Sequence, residues 1–211
     1  MTREFAKVGA SRHYRGMGEP AIVAEGLRKC FGKVVAVEEA TFAAAAGSAT
    51  ALLGGNGAGK TTTIAMLLGL ILPTSGTARV LGHDMSDDRQ RALPALNFSS
   101  PYIDLPHRLT VRQNLEIYAR LYGLSDVAAR CTELARQLDI VDFLDRPVGQ
   151  LSAGQKTRVA LAKALVNEPD VLFLDEPTAS LDPDTADWMR TWLEDYRRRT
   201  GATLFLASHN M

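Results

Sequence analysis

The 211-residue chain has little that would allow a staple, a membrane span or a strong field. Cysteine occurs twice, as Cys30 and Cys131. Two cysteines so far apart make neither a disulfide framework nor a metal-ligand spacing, and the simplest reading is a pair of reduced thiols in a reducing compartment. Aromatic residues make up only 7%. No stretch reaches the roughly 18 uninterrupted apolar residues of a membrane span, so the chain does not cross a bilayer as a helix. The first residues, MTREFAKVGASRHYRGMGEP, lack the apolar centre of a secretion signal and read as a flexible extension over 1–20. Net charge is also missing. Lys plus Arg and Asp plus Glu number 24 each, so no global field points to nucleic acid, and any phosphate binding must be local.

What is present is a globular composition, 46% hydrophobic and 23% charged, in a chain long enough to bury a sizeable core. From Ala21 to Ala46 short apolar runs around a turn at Phe31-Gly32 predict antiparallel strands. Ser48–Leu53 reads as a buried strand, GGNGAGK as a loop, and TTTIAMLLGL as a helix running to a stop at Pro73. Thr77–Leu81 reads as another short strand. Thr110 and Gln113 stand in capping-box spacing, with Val111, Leu115, Tyr118 and Tyr122 on one face of a helix that Gly123 ends. Asp126–Leu138 repeats the helical pattern. LSAGQ then opens a helix to Val166, followed by the strand VLFLD, a helix around Asp184–Arg199 and the strand TLFLA. Strands alternating with helices predict an α/β fold with a mostly parallel core sheet.

Gly54–Thr61, GGNGAGKT, matches G-x-x-x-x-G-K-[ST]. Backbone amides of such a loop (Gly54, Gly55, Asn56, Gly57, Ala58, Gly59) curl around phosphate oxygens, and the following helix adds its positive end. Lys60 then reaches the outer phosphates and the Thr61 hydroxyl holds Mg²⁺. The alternative is a plain glycine-rich turn. A phosphate loop of this kind needs a carboxylate for the ion and a group to position water. VLFLDE supplies both, with Asp175 for the metal and Glu176 for the water. An ordinary strand end before an acidic helix cap is the alternative there. In LSAGQ, Ser152 and Gln155 have capping-box spacing, which leaves the small residues Ala153 and Gly154 unexplained. The helix start is a second anion site in one chain.

In order, the phosphate loop, LSAGQ, VLFLDE, SLD and SHN resemble the nucleotide-binding subunit of ABC transporters, from about Ile22 to the end. The resemblance implies a P-loop NTPase of the ABC ATPase type, with an N-terminal antiparallel β subdomain, a helical subdomain at about 105–168, and an ATPase domain over 21–211. It implies two such subunits, as a homodimer, enclosing two ATP molecules with Mg²⁺. Each signature, here Leu151, Ser152, Ala153, Gly154 and Gln155, faces the γ-phosphate held by the other subunit. Ala153 replaces a glycine of the usual LSGGQ, and Gly55 stands where the family often has proline. Phe31 matches the aromatic that stacks on adenine; an exposed aromatic at a strand end is the alternative. The hydroxyl-bearing Thr62 follows Thr61 at the nucleotide. Ser180, Leu181 and Asp182 match a loop that communicates across the dimer, and His209 matches the switch histidine at the γ-phosphate.

Two departures stand out. Where the family carries a glutamine before the helical subdomain, this chain reads NFSSPYIDLPHRLTV, so Ser99, Ser100 or Pro101 takes its place. Family members also continue past the histidine, so the domain is expected to be truncated at Met211. LTVRQNLEIYARLYGL resembles subunits that partner ABC-2-type exporters. The expected function is therefore an ATP hydrolase on the inner face of the membrane, cytoplasmic and peripheral, powering a separate permease with no nucleic acid partner. The rival readings are a non-transport ABC ATPase working on the ribosome or DNA, and an ATP-binding remnant without turnover.

Overall fold

Val171–Asp175 is five consecutive buried residues, as expected of a strand covered on both faces. It lies within a computed structural model that describes residues 19–100, 104–179 and 181–209. In chain order the elements are β1 (Pro20–Phe31), β2 (Val34–Ala45), β3 (Ala49–Leu53), α1 (Lys60–Leu67), β4 (Ser75–Val80), β5 (His83–Asp84) and α2 (Arg89–Ala92). There follow β6 (Leu96–Ser99), α3 (Val111–Leu121), α4 (Val127–Gln137), α5 (Ala153–Ala164), β7 (Val171–Asp175), α6 (Pro183–Thr200) and β8 (Thr203–Ser208). One four-stranded sheet has the order β3-β8-β7-β6 and the other β2-β1-β4-β5. The first is parallel throughout its pairings and the second antiparallel.

The parallel sheet separates two cores because successive side chains of a strand point to opposite faces. Leu172 and Leu174 join a cluster with Leu115, Leu134, Val159 and Leu193 from the helices α3 to α6. Val171 and Phe173 join the other, with Ile22 and Leu27 of the antiparallel sheet and Ile64 and Leu67 of α1. There Phe205 is sandwiched between aromatic neighbours, its ring centre 5.8 Å from Phe173 and 5.5 Å from Phe42. Residues 1–18 of the expected extension lie outside the described residues. No helix among the described residues is long and apolar enough to cross a membrane.

One predicted helix is much shorter than its apolar pattern. The run TTTIAMLLGL stops at Leu67, with Leu68 as its C-cap, rather than at Pro73. Gly69 takes φ of +65° and turns the chain beneath the next segment. A methyl group there would lie 2.7 Å from the Met85 carbonyl and 2.9 Å from Arg89 Cδ. The apolar residues beyond it leave the helix axis, so periodicity alone overruns the end. The first hairpin also turns one residue later than expected, between the ends of β1 and β2 at Gly32-Lys33.

Candidate nucleotide site at the carboxyl edge of the parallel sheet

All four parallel strands end at the same edge, where an open α/β sheet gathers ligand-binding groups. From β3 the chain enters Gly54–Gly59, from β7 it enters Glu176, from β8 it reaches His209, and from β6 it passes to Ser100. The predicted residues Lys60, Thr61, Asp175, Glu176 and His209 thus come together although they span 150 positions of sequence.

Gly59 takes φ of +84° as the N-cap of α1, which no side chain caps. The first amides of a helix have no intrahelical partner, so this end keeps its donors for a ligand. A methyl group on Gly59 would lie 2.3 Å from the Ala36 carbonyl of β2 and 2.9 Å from Val37 Cγ2. Glycine is therefore demanded by the chain's own packing, a constraint the motif spacing did not contain. Gly57 also has positive φ, at +80°, while Gly54, Gly55, Asn56 and Ala58 complete an accessible loop.

Lys60 is buried, and its ammonium donates to the carbonyls of Gly54 at 2.6 Å and Gly55 at 3.2 Å. It also pairs with Glu176 Oε1 at 3.3 Å. The other oxygen of Glu176 lies 2.7 Å from His209 Nδ1 and accepts from the His209 amide at 3.3 Å. Burial pushes the Glu176 carboxyl up, but the bonds from His209 and Lys60 outweigh it and hold the group below its ordinary value. Glu176 sits at φ of +50°, a left-handed conformation that costs a non-glycine residue energy and commonly marks a functional site.

Asp175 is 1% exposed. Its Oδ2 accepts from the Thr61 hydroxyl at 2.8 Å, while Oδ1 is buried with no hydrogen-bond partner among the described residues. A buried carboxylate oxygen left unpaired is costly, and beside a threonine hydroxyl it is the donor set that suits a hard cation. Among the described residues no group of three or more His, Cys, Asp or Glu could hold a metal by itself. One carboxylate and one hydroxyl fit an ion such as Mg²⁺, whose remaining positions go to water and phosphate.

The signature lies elsewhere on the surface. Ser152 caps α5 by accepting from the Gln155 amide at 3.3 Å, and Gln155 Oε1 accepts from the Ser152 amide at 3.0 Å. Leu151 is buried. Gly154 has no positive φ, and a methyl group on it would meet Thr185 at an ordinary contact distance of 3.5 Å. Leu181 packs against the helical core and Asp182 caps α6; Ser180 lies outside the described residues. Phe31 is 49% exposed, with the Lys29 ammonium 5.0 Å from its ring centre. Ser99 ends β6 and the buried Ser100 follows it; Pro101 lies outside the described residues.

Residues 37–179 match the family described as ABC transporter. The chain is 38% identical over 197 residues to the probable multidrug ABC transporter ATP-binding protein YbhF of Escherichia coli, covering 92% of this chain and 34% of that protein. It is 38% identical over 199 residues to the Nod factor export ATP-binding protein I of Paraburkholderia xenovorans, covering 92% of this chain and 64% of that one. The chain thus spans about a third to two thirds of the length of these relatives. Among solved structures, cbiO1 of Clostridium perfringens, part of the ABC transporter complex cbiONQ, superposes with a TM-score of 0.80 at 30% identity, covering 90% of this chain and 79% of that one. A dimeric ATP-binding cassette bound to ADP and Pi shares the fold, with a TM-score of 0.80 at 23% identity over 90% of this chain and 88% of that one. With the family match covering more than half of the residues, the chain belongs to the ABC transporter family, as a P-loop ATPase domain of the ATP-binding cassette type.

Proposed function

We propose that this chain binds and hydrolyses ATP as one of two subunits that power a separate membrane permease, and that the transport is export. The observation that carries the hydrolytic reading is the buried, unpartnered Oδ1 of Asp175 beside the Thr61 hydroxyl, with Glu176 the next residue. Thr61 and Asp175 would hold Mg²⁺, which when bound would offset phosphate charge. The loop from Gly54 to Gly59 and the hydroxyl of Thr62 surround the phosphates, and Phe31 stacks on the adenine. Lys60 exchanges the carbonyls of Gly54 and Gly55 for phosphate oxygens. This frees Glu176 to take a proton from the attacking water as general base. His209 keeps its place beside Glu176 and meets the γ-phosphate.

The signature, Leu151 to Gln155, receives the γ-phosphate of the partner's ATP, and Ser180, Leu181 and Asp182 face the partner across the dimer. This reading is supported by Gly154: its φ is not left-handed, and among the described residues a methyl group on it would meet Thr185 at an ordinary contact distance. The export direction is supported by LTVRQNLEIYARLYGL and by the export-type names of the relatives. The subunit then works peripherally on the cytoplasmic face of the membrane, with no nucleic acid partner. The test is ATP turnover of the chain with and without Glu176→Gln. A general base contributes about 10²–10⁴-fold, so the variant should lose at least about a hundredfold; equal rates refute the assignment.

A further inference from the structure

Both carboxylate oxygens of Asp182 are engaged by one residue. Oδ1 accepts from the Thr185 amide at 2.9 Å and Oδ2 from the Thr185 hydroxyl at 2.7 Å. The amide bond is an ordinary N-cap of α6, and the hydroxyl bond is an addition to it. Thr185 also has a neighbour on another helix. A methyl group on Gly154 would lie 3.5 Å from Thr185 Oγ1 and 3.7 Å from its Cγ2, so the first turns of α5 and α6 abut at these two residues. A second rung lies one turn further along each helix. There the Arg158 guanidinium, which donates to the Leu138 carbonyl at 3.2 Å and to Asp139 at 3.1 Å, is 4.1 Å from the Trp188 ring centre. The side chain that grips the loop before α6 is thus the one that rests on the glycine of LSAGQ.

We propose that Thr185 is a positioning residue that joins the 181–182 loop to the signature turn, so that both meet a partner subunit as one preset surface. Its consequence for turnover rests on the shared ATP site proposed above, but the link itself is a property of the single chain. The two rungs give the joint a fixed angle: Thr185 sets the spacing at the helix starts and the Arg158–Trp188 stack stops rotation about it. A methyl group at 154 would still meet Thr185 at an ordinary contact distance, so the contact does not depend on the glycine.

Amide hydrogen exchange of the full chain without nucleotide separates this link from the wider reading. Thr185→Val keeps the bulk and the amide bond to Asp182 but removes the hydroxyl bond; Thr185→Ser keeps both bonds and removes the methyl. Thr185→Val is expected to raise exchange about three- to tenfold in two segments distant in sequence, 151–156 and 181–186, and Thr185→Ser in neither. A change confined to 181–186, no change, or a Thr185→Val chain that does not fold overturns the proposal. In turnover, Thr185→Val should lower kcat about tenfold at unchanged KM for ATP, with Thr185→Ser restoring it. A wild-type chain without turnover would remove the proposed hydrolysis and still leave the exchange result to decide the link.

Discussion

Two helices of this chain begin at glycine-bearing, anion-seeking turns, and they are built in opposite ways. The start of α1 has a left-handed glycine cap and no side chain on its amides, and its Gly59 is wedged against the Ala36 carbonyl. The start of α5 is closed by the reciprocal Ser152 and Gln155 bonds, and a methyl group on its Gly154 would meet Thr185 at an ordinary contact distance of 3.5 Å. The first turn is incomplete without a ligand and complete in its own packing. The second is complete as a helix cap and has a glycine with room for a methyl group beside Thr185. On the proposed function the two starts serve different ligands: α1 keeps its free amides for a phosphate bound by its own chain, whereas α5 is already capped and meets one brought by a second subunit.

Substitutions at the two helix starts should therefore act differently, with the largest effect at α1. Gly59→Ala forces a side chain into a left-handed backbone and onto a carbonyl, at a cost of about 2–4 kcal/mol. It should lower the denaturation midpoint and remove ATP binding together, as measured by chemical unfolding and nucleotide titration. On α5 the sensitive residue is the cap rather than the glycine. Ser152→Ala should cost about 1 kcal/mol, seen as a drop of about 2–4 °C in the melting temperature for a chain of this size.

The contrast was only half legible in the sequence. The capping box of α5 could be read from Ser152 and Gln155 because both partners are local, and the same was true of Thr110 and Gln113 at α3. The phosphate loop, VLFLD and the signature could be read as motifs, since spacing alone carries them. What spacing could not carry was contact between distant segments. The wedge of Ala36 against Gly59, the grip of Lys60 on the Gly54 and Gly55 carbonyls, and the meeting of Thr185 with Gly154 all join parts that the fold brings together. The left-handed Glu176 belongs with them, because the bonds to Lys60 and His209 that hold it come from the start of α1 and the end of β8. The early end of α1 was missed for a related reason. Leu70 is apolar enough to extend the pattern, yet lies 68% exposed beyond the turn at Gly69.

On the proposed function, Gly154 is a glycine because of a partner's nucleotide rather than because of its own packing. This is tested most directly by Gly154→Ala in the slowly hydrolysing Glu176→Gln background, following ATP-dependent dimerisation by light scattering alongside thermal stability. Alanine favours a helix over glycine by up to about 1 kcal/mol, so the melting temperature should stay level or rise slightly. ATP should still bind each monomer, while the dimer formed by Glu176→Gln alone should be lost. A Gly154→Ala chain that dimerises with ATP as well as its parent, or one that loses stability as Gly59→Ala does, would contradict the account.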